Sequence, residues 1–223
     1  MNDDTLRDTV IADTQRWLER AVIGLNLCPF AKAPHIKGQV HYAVCTADEP
    51  EALLLQLQAE LSALAEADPA QRETTLLMAP RQMADFLAFN DFLDAADAML
   101  EELGLEGVLQ VAPFHPQFQF AGTDEDDIGN ATNRSPYPTL HLIREESIDR
   151  AVEAFPDAEE IFEGNIAKLE KLGADGWAAL DVGATVPESA RRAARHEDQY
   201  PPRPVDRAAQ GPGPARLNQA WQF

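Results

Sequence analysis

The chain has 223 residues, of which 45% are hydrophobic, and a formal net charge of −20. That length suits one domain of ordinary size with a substantial buried core. The strong negative charge argues against nucleic acid or an anionic membrane as a partner, because both require a positive protein surface.

The start of the chain and its hydropathy predict a cytoplasmic protein. No apolar run approaches the roughly 20 residues that a membrane span requires. The acidic start, Met1-Asn-Asp-Asp, lacks the basic and apolar regions of a signal peptide. In the cytoplasm Cys28 and Cys45 are expected to be reduced.

The first half of the chain alternates between predicted helices and strands. Apolar residues at helical spacing predict a helix over 4–24, which ends before Pro29. Alternating side chains predict a strand over 39–45, with Val40 and Tyr42 on one face and His41 on the other. A face of leucines predicts a helix over 48–67, and a second strand follows over 74–79.

The second half continues this alternation. A long helix is predicted over 83–103, strands over 108–114 and 139–143, and helices over 147–155 and 157–172. Strand–helix repeats favour parallel pairing, with helices covering the sheet. We therefore predict an α/β fold with a mixed, mostly parallel sheet of about four strands flanked by helices, in a single domain over 1–182.

The composition changes after that domain. Residues 183–223 contain six arginines and four acidic residues, and they are rich in Pro and Gly. This composition predicts a flexible C-terminal tail, which is a candidate for docking on the acidic body or on a partner.

The long loop between the predicted strands 108–114 and 139–143 holds most of the reactive side chains. Parallel sheets bind ligands at the carboxyl ends of their strands, where Arg81 and His115 are expected. An antiparallel fourth strand would bring the segment 134–137 to the same edge. We predict His115 as an acid or base, and the following four residues as the substrate-binding group: Arg134, Ser135, Arg81 and Tyr137. In the alternative interpretation, Arg134 pairs with the acidic run 124–127 and His115 only caps the loop.

Cys28 is a second candidate catalytic residue. A neighbouring histidine such as His115 could activate its thiol as a nucleophile. The alternative is that Cys28 packs in the core beside Leu27, Pro29 and Phe30. His141 alternates with two leucines, which favours a structural histidine.

No metal and no cofactor are predicted. The cysteines and histidines near residues 28–45 lack the paired spacing of zinc sites, and the acidic run 124–129 lacks the ligands of a calcium loop. Phosphate-binding loops, dinucleotide fingerprints and serine elbows are also missing.

Three unusual blocks carry a family resemblance. They are Trp17-Leu-Glu-Arg-Ala-Val-Ile-Gly-Leu-Asn-Leu-Cys-Pro-Phe-Ala31, Phe114-His-Pro-Gln-Phe-Gln-Phe120 and Asn133-Arg-Ser-Pro-Tyr-Pro-Thr-Leu-His-Leu142. Together they resemble an uncharacterised bacterial and plastid family, domain of unknown function 1415, over roughly residues 5–180. The resemblance implies no established activity and no catalytic residues.

The sequence thus leads to two functional hypotheses. The first is a cytoplasmic hydrolase or transferase that acts on a small anionic metabolite, with His115 as acid or base and Arg134 as anion clamp. The second is a non-catalytic binding or assembly protein that uses the aromatic loop 114–120 and the tail to engage a protein partner or a second copy of itself. The sequence determines neither the substrate nor the reaction nor the oligomeric state.

Overall fold

The computed structural model describes residues 1–154 and 158–185. Residue 155, where one predicted helix ends, residue 157, where the next predicted helix begins, and most of the predicted tail lie outside the described residues. The elements in chain order are α1 (Asp3–Trp17), a π-helix (Leu18–Ile23), α2 (Lys32–Ile36), β1 (Val40–Val44), α3 (Pro50–Glu66), β2 (Thr74–Met78), α4 (Phe86–Glu102), β3 (Leu109–Phe114), a 3-10 helix (Ile128–Asn133), β4 (Thr139–Arg144), α5 (Glu145–Ala154) and α6 (Ala158–Ala179).

The fold is α/β with a four-stranded mixed sheet, but the prediction that the sheet is mostly parallel is wrong. The strand order is β1-β2-β4-β3. Only β1 and β2 pair in parallel, whereas β4 pairs antiparallel with both β2 and β3. The first three strands do run in the same direction, as strand–helix repeats require. However, β4 inserts between β2 and β3, and its opposite direction makes both of those pairings antiparallel.

One face of the sheet is filled by helices α3 and α4. Four leucines of α3 have no exposed surface, and they meet large apolar side chains of α4 and of the strands. This cluster is the main hydrophobic core. It includes Leu53, Leu57, Leu61, Leu64, Phe89, Leu93, Leu77, Leu140 and Leu142.

The opposite face of the sheet is covered unevenly. Helix α1 packs on the half near the ends of β1 and β2, where Leu6 and Val10 meet Met78 and Tyr137. The π-helix continues from α1 and contacts Phe114 at the end of β3. The other half of this face, near the starts of β1 and β2, lies under the segment 28–37 and α5 and borders a cavity.

Helix boundaries differ from the predictions where capping or backbone geometry decides. The predicted helix 83–103 begins at Phe86, because the side chain of Asp85 caps the amide of Ala88 and Met83 has a positive φ of 58°. The predicted helix 4–24 changes to π geometry at Leu18, which hydrophobic spacing alone does not reveal. Helix α6 is broken at Gly173, whose φ of 68° ends the helical run predicted to stop there.

A buried polar network attaches residues just beyond α6 to α1. Asp13 is only 1% exposed and accepts hydrogen bonds from the Tyr137 hydroxyl at 2.6 Å and from the amide of Thr185 at 2.8 Å. Arg16 pairs with Asp13 at 2.8 Å and donates to the carbonyl of Gly183 at 2.9 Å. The contacts of the body therefore extend to Thr185, three residues past the predicted boundary at 182.

Candidate ligand-binding cavity

The loop after β3 is held together by its own hydrogen bonds. His115 has no exposed surface, and its ring lies against those of Phe86 and Phe89. Its Nε2 lies 2.9 Å from the carbonyl of Met83, and its Nδ1 accepts from the amide of Gln117 at 3.0 Å. An imidazole that accepts at Nδ1 is neutral and donates at Nε2. Burial also lowers the pKa of His115.

Arg134 braces the same loop. Its Nε donates to the carbonyl of Phe118 at 3.2 Å, and its Nη2 donates to the carbonyl of Glu125 at 2.6 Å. Burial is the largest influence on the Arg134 guanidinium and lowers its pKa. Arg134 borders an open cleft that three acidic residues also line, and their charge opposes anion binding there. These residues are Asp124, Glu125 and Asp126.

The other three predicted substrate-binding residues have structural contacts. Arg81 donates to the carbonyl of Thr46 at 2.6 Å and pairs with Asp3 at 2.8 Å. The Ser135 hydroxyl donates to the carbonyl of Tyr137 at 2.6 Å, and the Tyr137 ring is fully buried. As expected from an antiparallel β4, the segment 134–137 enters the sheet at the edge where β3 ends. The predicted binding roles of these side chains stay predictions.

Another pocket lies on the partly covered face of the sheet. It is a cavity of about 700 Å³, bounded by the π-helix, the segment 28–37, α5 and the strands. Most of its wall is apolar. The aromatic, polar and charged side chains of the wall include Trp17, Cys28, Lys37, Glu73, Thr74, Phe114, His141, Ser147 and Arg150.

The π-helix shapes the inner end of this cavity. It places Leu18 and Val22 in the wall next to Trp17, the last residue of α1. The Trp17 ring meets the edge of Phe114 at a centroid distance of 5.3 Å. Gly24 follows, at a point where an added Cβ would lie 2.3 Å from the carbonyl oxygen of Arg20. The backbone at the end of the π-helix therefore requires glycine at position 24. π-Helical segments occur frequently at functional sites.

His141 and Thr74 form the polar part of the cavity floor. The Thr74 hydroxyl lies 2.6 Å from the carbonyl of Leu142 and 2.7 Å from His141 Nε2. A hydroxyl has one proton, and the carbonyl can only accept it, so Nε2 carries a hydrogen and donates to Thr74. Burial lowers the pKa of His141 to about 3, so the ring is neutral near pH 7.

Cys28 lies in the wall near the start of the segment 28–37. Burial raises the pKa of its thiol, and backbone hydrogen bonds from Phe30 and Ala31 act in the opposite direction. The thiol is therefore protonated at neutral pH. The structure brings Cys28 and His141 to one cavity, whereas His115 lies outside its wall. The Nδ1 atom of His141 has almost no accessible surface.

Charged side chains line the cavity near the starts of β1 and β2. Glu73 precedes β2 and accepts from the Ser147 hydroxyl at 2.5 Å and from Arg150 at 3.3 Å. Arg150 also donates to the Ser147 oxygen at 2.9 Å. Lys37 also lines the cavity, three residues before β1 begins.

Sequence reasoning did not identify this cavity. The sequence feature that could have indicated it is a polar residue on an otherwise apolar strand face. Thr74 and His141 are such residues, since they share one face of the sheet with Leu76 and Ile143. That signal became informative only with the register, which pairs Leu76 with His141 and Thr74 with Ile143.

Within residues 1–154 and 158–185, no group of His, Cys, Asp and Glu side chains has a geometry that could hold a metal ion. In the same ranges, none of the helices is both long and apolar enough to cross a membrane.

These features define an α/β protein with a mainly apolar cavity against one face of a four-stranded sheet. The chain belongs to the family described as protein of unknown function (DUF1415), whose model matches residues 9–179. The match confirms the resemblance carried by the three sequence blocks. No curated protein and no solved structure matches the chain.

Proposed function

We propose that the protein binds a small, largely apolar organic molecule in the cavity between the sheet, the π-helix and the segment 28–37. The observation that carries this proposal is the cavity itself. Its volume of about 700 Å³ lies within the range of roughly 300–1,000 Å³ that is typical of small-molecule sites. Its wall is mainly apolar with a few polar groups, as such sites usually are.

The charge states of the inner wall support an apolar ligand body. His141 is neutral and Cys28 is a protonated thiol, so neither presents a charge to the cavity near pH 7. Trp17 and Phe114 add aromatic surface beside them. A ligand that fills this end would release water from apolar surface, which favours binding.

A fluorescence titration with the neutral dye N-phenyl-1-naphthylamine tests this proposal. We expect saturable binding to the wild type. Ala151 lines the cavity, so Ala151→Phe should fill part of it and weaken binding. Ala98 is exposed on α4, and Ala98→Phe is the matched control that should bind like the wild type. Equal binding by both variants would show that the dye binds elsewhere, and the proposal would fail.

Protection of Cys28 gives a second, independent measurement. In a Cys45→Ala background, Cys28 is the remaining cysteine of the chain. A bound dye should slow its alkylation by a maleimide, because the thiol lies in the cavity wall. An unchanged rate at saturating dye would place the dye outside this wall.

A hydrolase or transferase that acts on the bound molecule is the second candidate function. The specific observation in its favour is that Cys28 and His141 line the same cavity. Against it, burial disfavours the thiolate, which is the nucleophilic form of cysteine. Alkylation that is fast near pH 7 would support this second candidate, whereas alkylation that becomes fast only at high pH would support binding alone. For either function we propose a cytoplasmic location, where Cys28 and Cys45, which are both free, stay reduced.

A further inference from the structure

We propose that the ligand is an amphipathic organic anion whose carboxylate, sulfonate or phosphate group binds Lys37 and Arg150 while its apolar body extends toward Trp17 and Phe114. This inference rests on the proposed function, and it adds the chemical class of the ligand and its orientation. It also moves the expected anion site from Arg134 and Arg81 to a different pair of cations.

The sheet register places the chain segments that carry both cations at one edge of the sheet, where Glu73 also meets Arg150. Val40 pairs with Thr74, and Thr74 pairs with Ile143, so β1 and β2 start at the edge where β4 ends. Lys37 precedes β1 by three residues, and Arg150 lies on α5, which begins directly after β4. Trp17 and Phe114 belong to the part of the wall formed by the π-helix region and the end of β3. The cavity therefore has a charged end and an aromatic end.

The one carboxylate in the described wall is already compensated. Glu73 accepts hydrogen bonds from Ser147 and Arg150, so its charge is partly neutralised by groups on α5. Lys37 and Arg150 together leave an excess of one positive charge among the wall side chains. In a chain with a net charge of −20, this local excess of positive charge favours an anionic ligand.

Both cations can accept a new partner at low cost. Arg150 is 55% exposed, and its other carboxylate partner, Glu146, is 75% exposed at 3.2 Å. Such solvent-exposed pairs contribute little free energy and exchange readily. Lys37 is exposed, and among the described residues it takes part in none of the ion pairs. A carboxylate or phosphate at this end would meet a guanidinium fork and an ammonium group.

The test uses two dyes with the same aromatic body. One is 1-anilinonaphthalene-8-sulfonate, which carries an anionic group, and the other is N-phenyl-1-naphthylamine, which carries none. Kd is measured by fluorescence titration for the wild type, Lys37→Gln, Arg150→Gln, the double variant and the control Lys171→Gln. Lys171 is an exposed lysine of α6 outside the cavity wall.

We expect the double variant to bind the sulfonate dye about tenfold or more weakly, as the loss of charge-assisted hydrogen bonds predicts. The double variant should bind the neutral dye about as tightly as the wild type does. The control Lys171→Gln should bind both dyes about as tightly as the wild type does. The sulfonate dye should also lose affinity at high salt, which tests the inference in the wild type if the double variant misfolds.

Two outcomes overturn the inference and separate it from the proposed function. If the neutral dye binds in the cavity but the sulfonate dye is insensitive to both substitutions and to salt, the anion site is wrong and the cavity function stands. If neither dye binds, or if Ala151→Phe weakens neither, the proposed function fails and the inference fails with it.

Discussion

The two faces of the sheet are built from the same strands but are covered in different ways. On one face, the leucines of α3 and the aromatic residues of α4 pack against the strands, and many of these side chains are fully buried. On the other face, α1 and the π-helix cover one half, and the remaining half borders a cavity of about 700 Å³. Side chains that border a cavity have fewer protein contacts than side chains inside the filled core, so they contribute less packing energy to the fold.

The two faces therefore differ in the side chains that they enclose and in those that they leave beside the cavity. The filled face supplies most of the packing that defines the fold, whereas the open half keeps Thr74, His141 and Cys28 in contact with the cavity. The predicted site loop resembles the filled face, because His115 and Arg134 use their polar atoms to hold backbone groups.

The largest expected effect is a difference in the free energy of unfolding between one substitution on each face. Leu57→Ala removes a side chain with no exposed surface from the filled core and should lower the free energy of unfolding by about 2–5 kcal/mol. Ile148→Ala on the cavity wall should cost only about 1 kcal/mol, because Ile148 is half-buried and already borders open space. Urea unfolding monitored by circular dichroism measures both. Equal losses would remove the distinction between the faces.

The next effect concerns the covered half of the second face. A chain that ends at Thr185 should be more stable than one that ends at Val182 by about 2 kcal/mol, since the longer chain keeps the bonds to the buried Asp13 and the acceptor for Arg16. Thermal and urea unfolding of the two truncated proteins measure the difference. If the two unfold alike, the Asp13 network does not attach this segment in solution.

A smaller effect follows from the neutral histidine on the cavity floor. Burial depresses the pKa of His141 from its ordinary value of 6.5 to about 3. The unfolded chain therefore takes up a proton that the folded chain excludes, and stability is lost as the pH falls below 6.5. Between about pH 7.5 and 5.5, the wild type should lose roughly 1.4 kcal/mol more than His141→Gln.

Urea titrations at the two pH values test this prediction. The other four histidines are common to both proteins, so the difference isolates His141. If the wild type and His141→Gln show the same pH dependence, the imidazole is accessible to protons in the folded state.

The smallest expected effect on stability is at the charged end of the cavity. Arg150→Gln should change the free energy of unfolding by less than about 1 kcal/mol, because Arg150 itself is 55% exposed and one of its two partners, Glu146, is 75% exposed. This substitution should still weaken binding of the sulfonate dye. A large loss of stability would assign Arg150 a structural role and would argue against an anion site.

The sequence by itself determined the local elements and the division of side chains between the two strand faces. The period-two pattern correctly separated Val40 and Tyr42 from His41, because a strand alternates its side chains whatever it pairs with. Leucine spacing correctly indicated the buried face of α3, since that spacing reflects helix geometry alone. The family was also evident from three local blocks.

Tertiary structure decided the strand order and the location of the cavity. The insertion of β4 between β2 and β3 depends on long-range pairing, which local patterns do not encode. That insertion placed His141 beside Thr74 and brought both to the cavity that Cys28 lines. The tertiary structure also packed His115 against Phe86 and Phe89 and gave both ring nitrogens hydrogen-bond partners, because most of these contacts join residues that are distant along the chain. The predicted catalytic role of His115 stays a prediction.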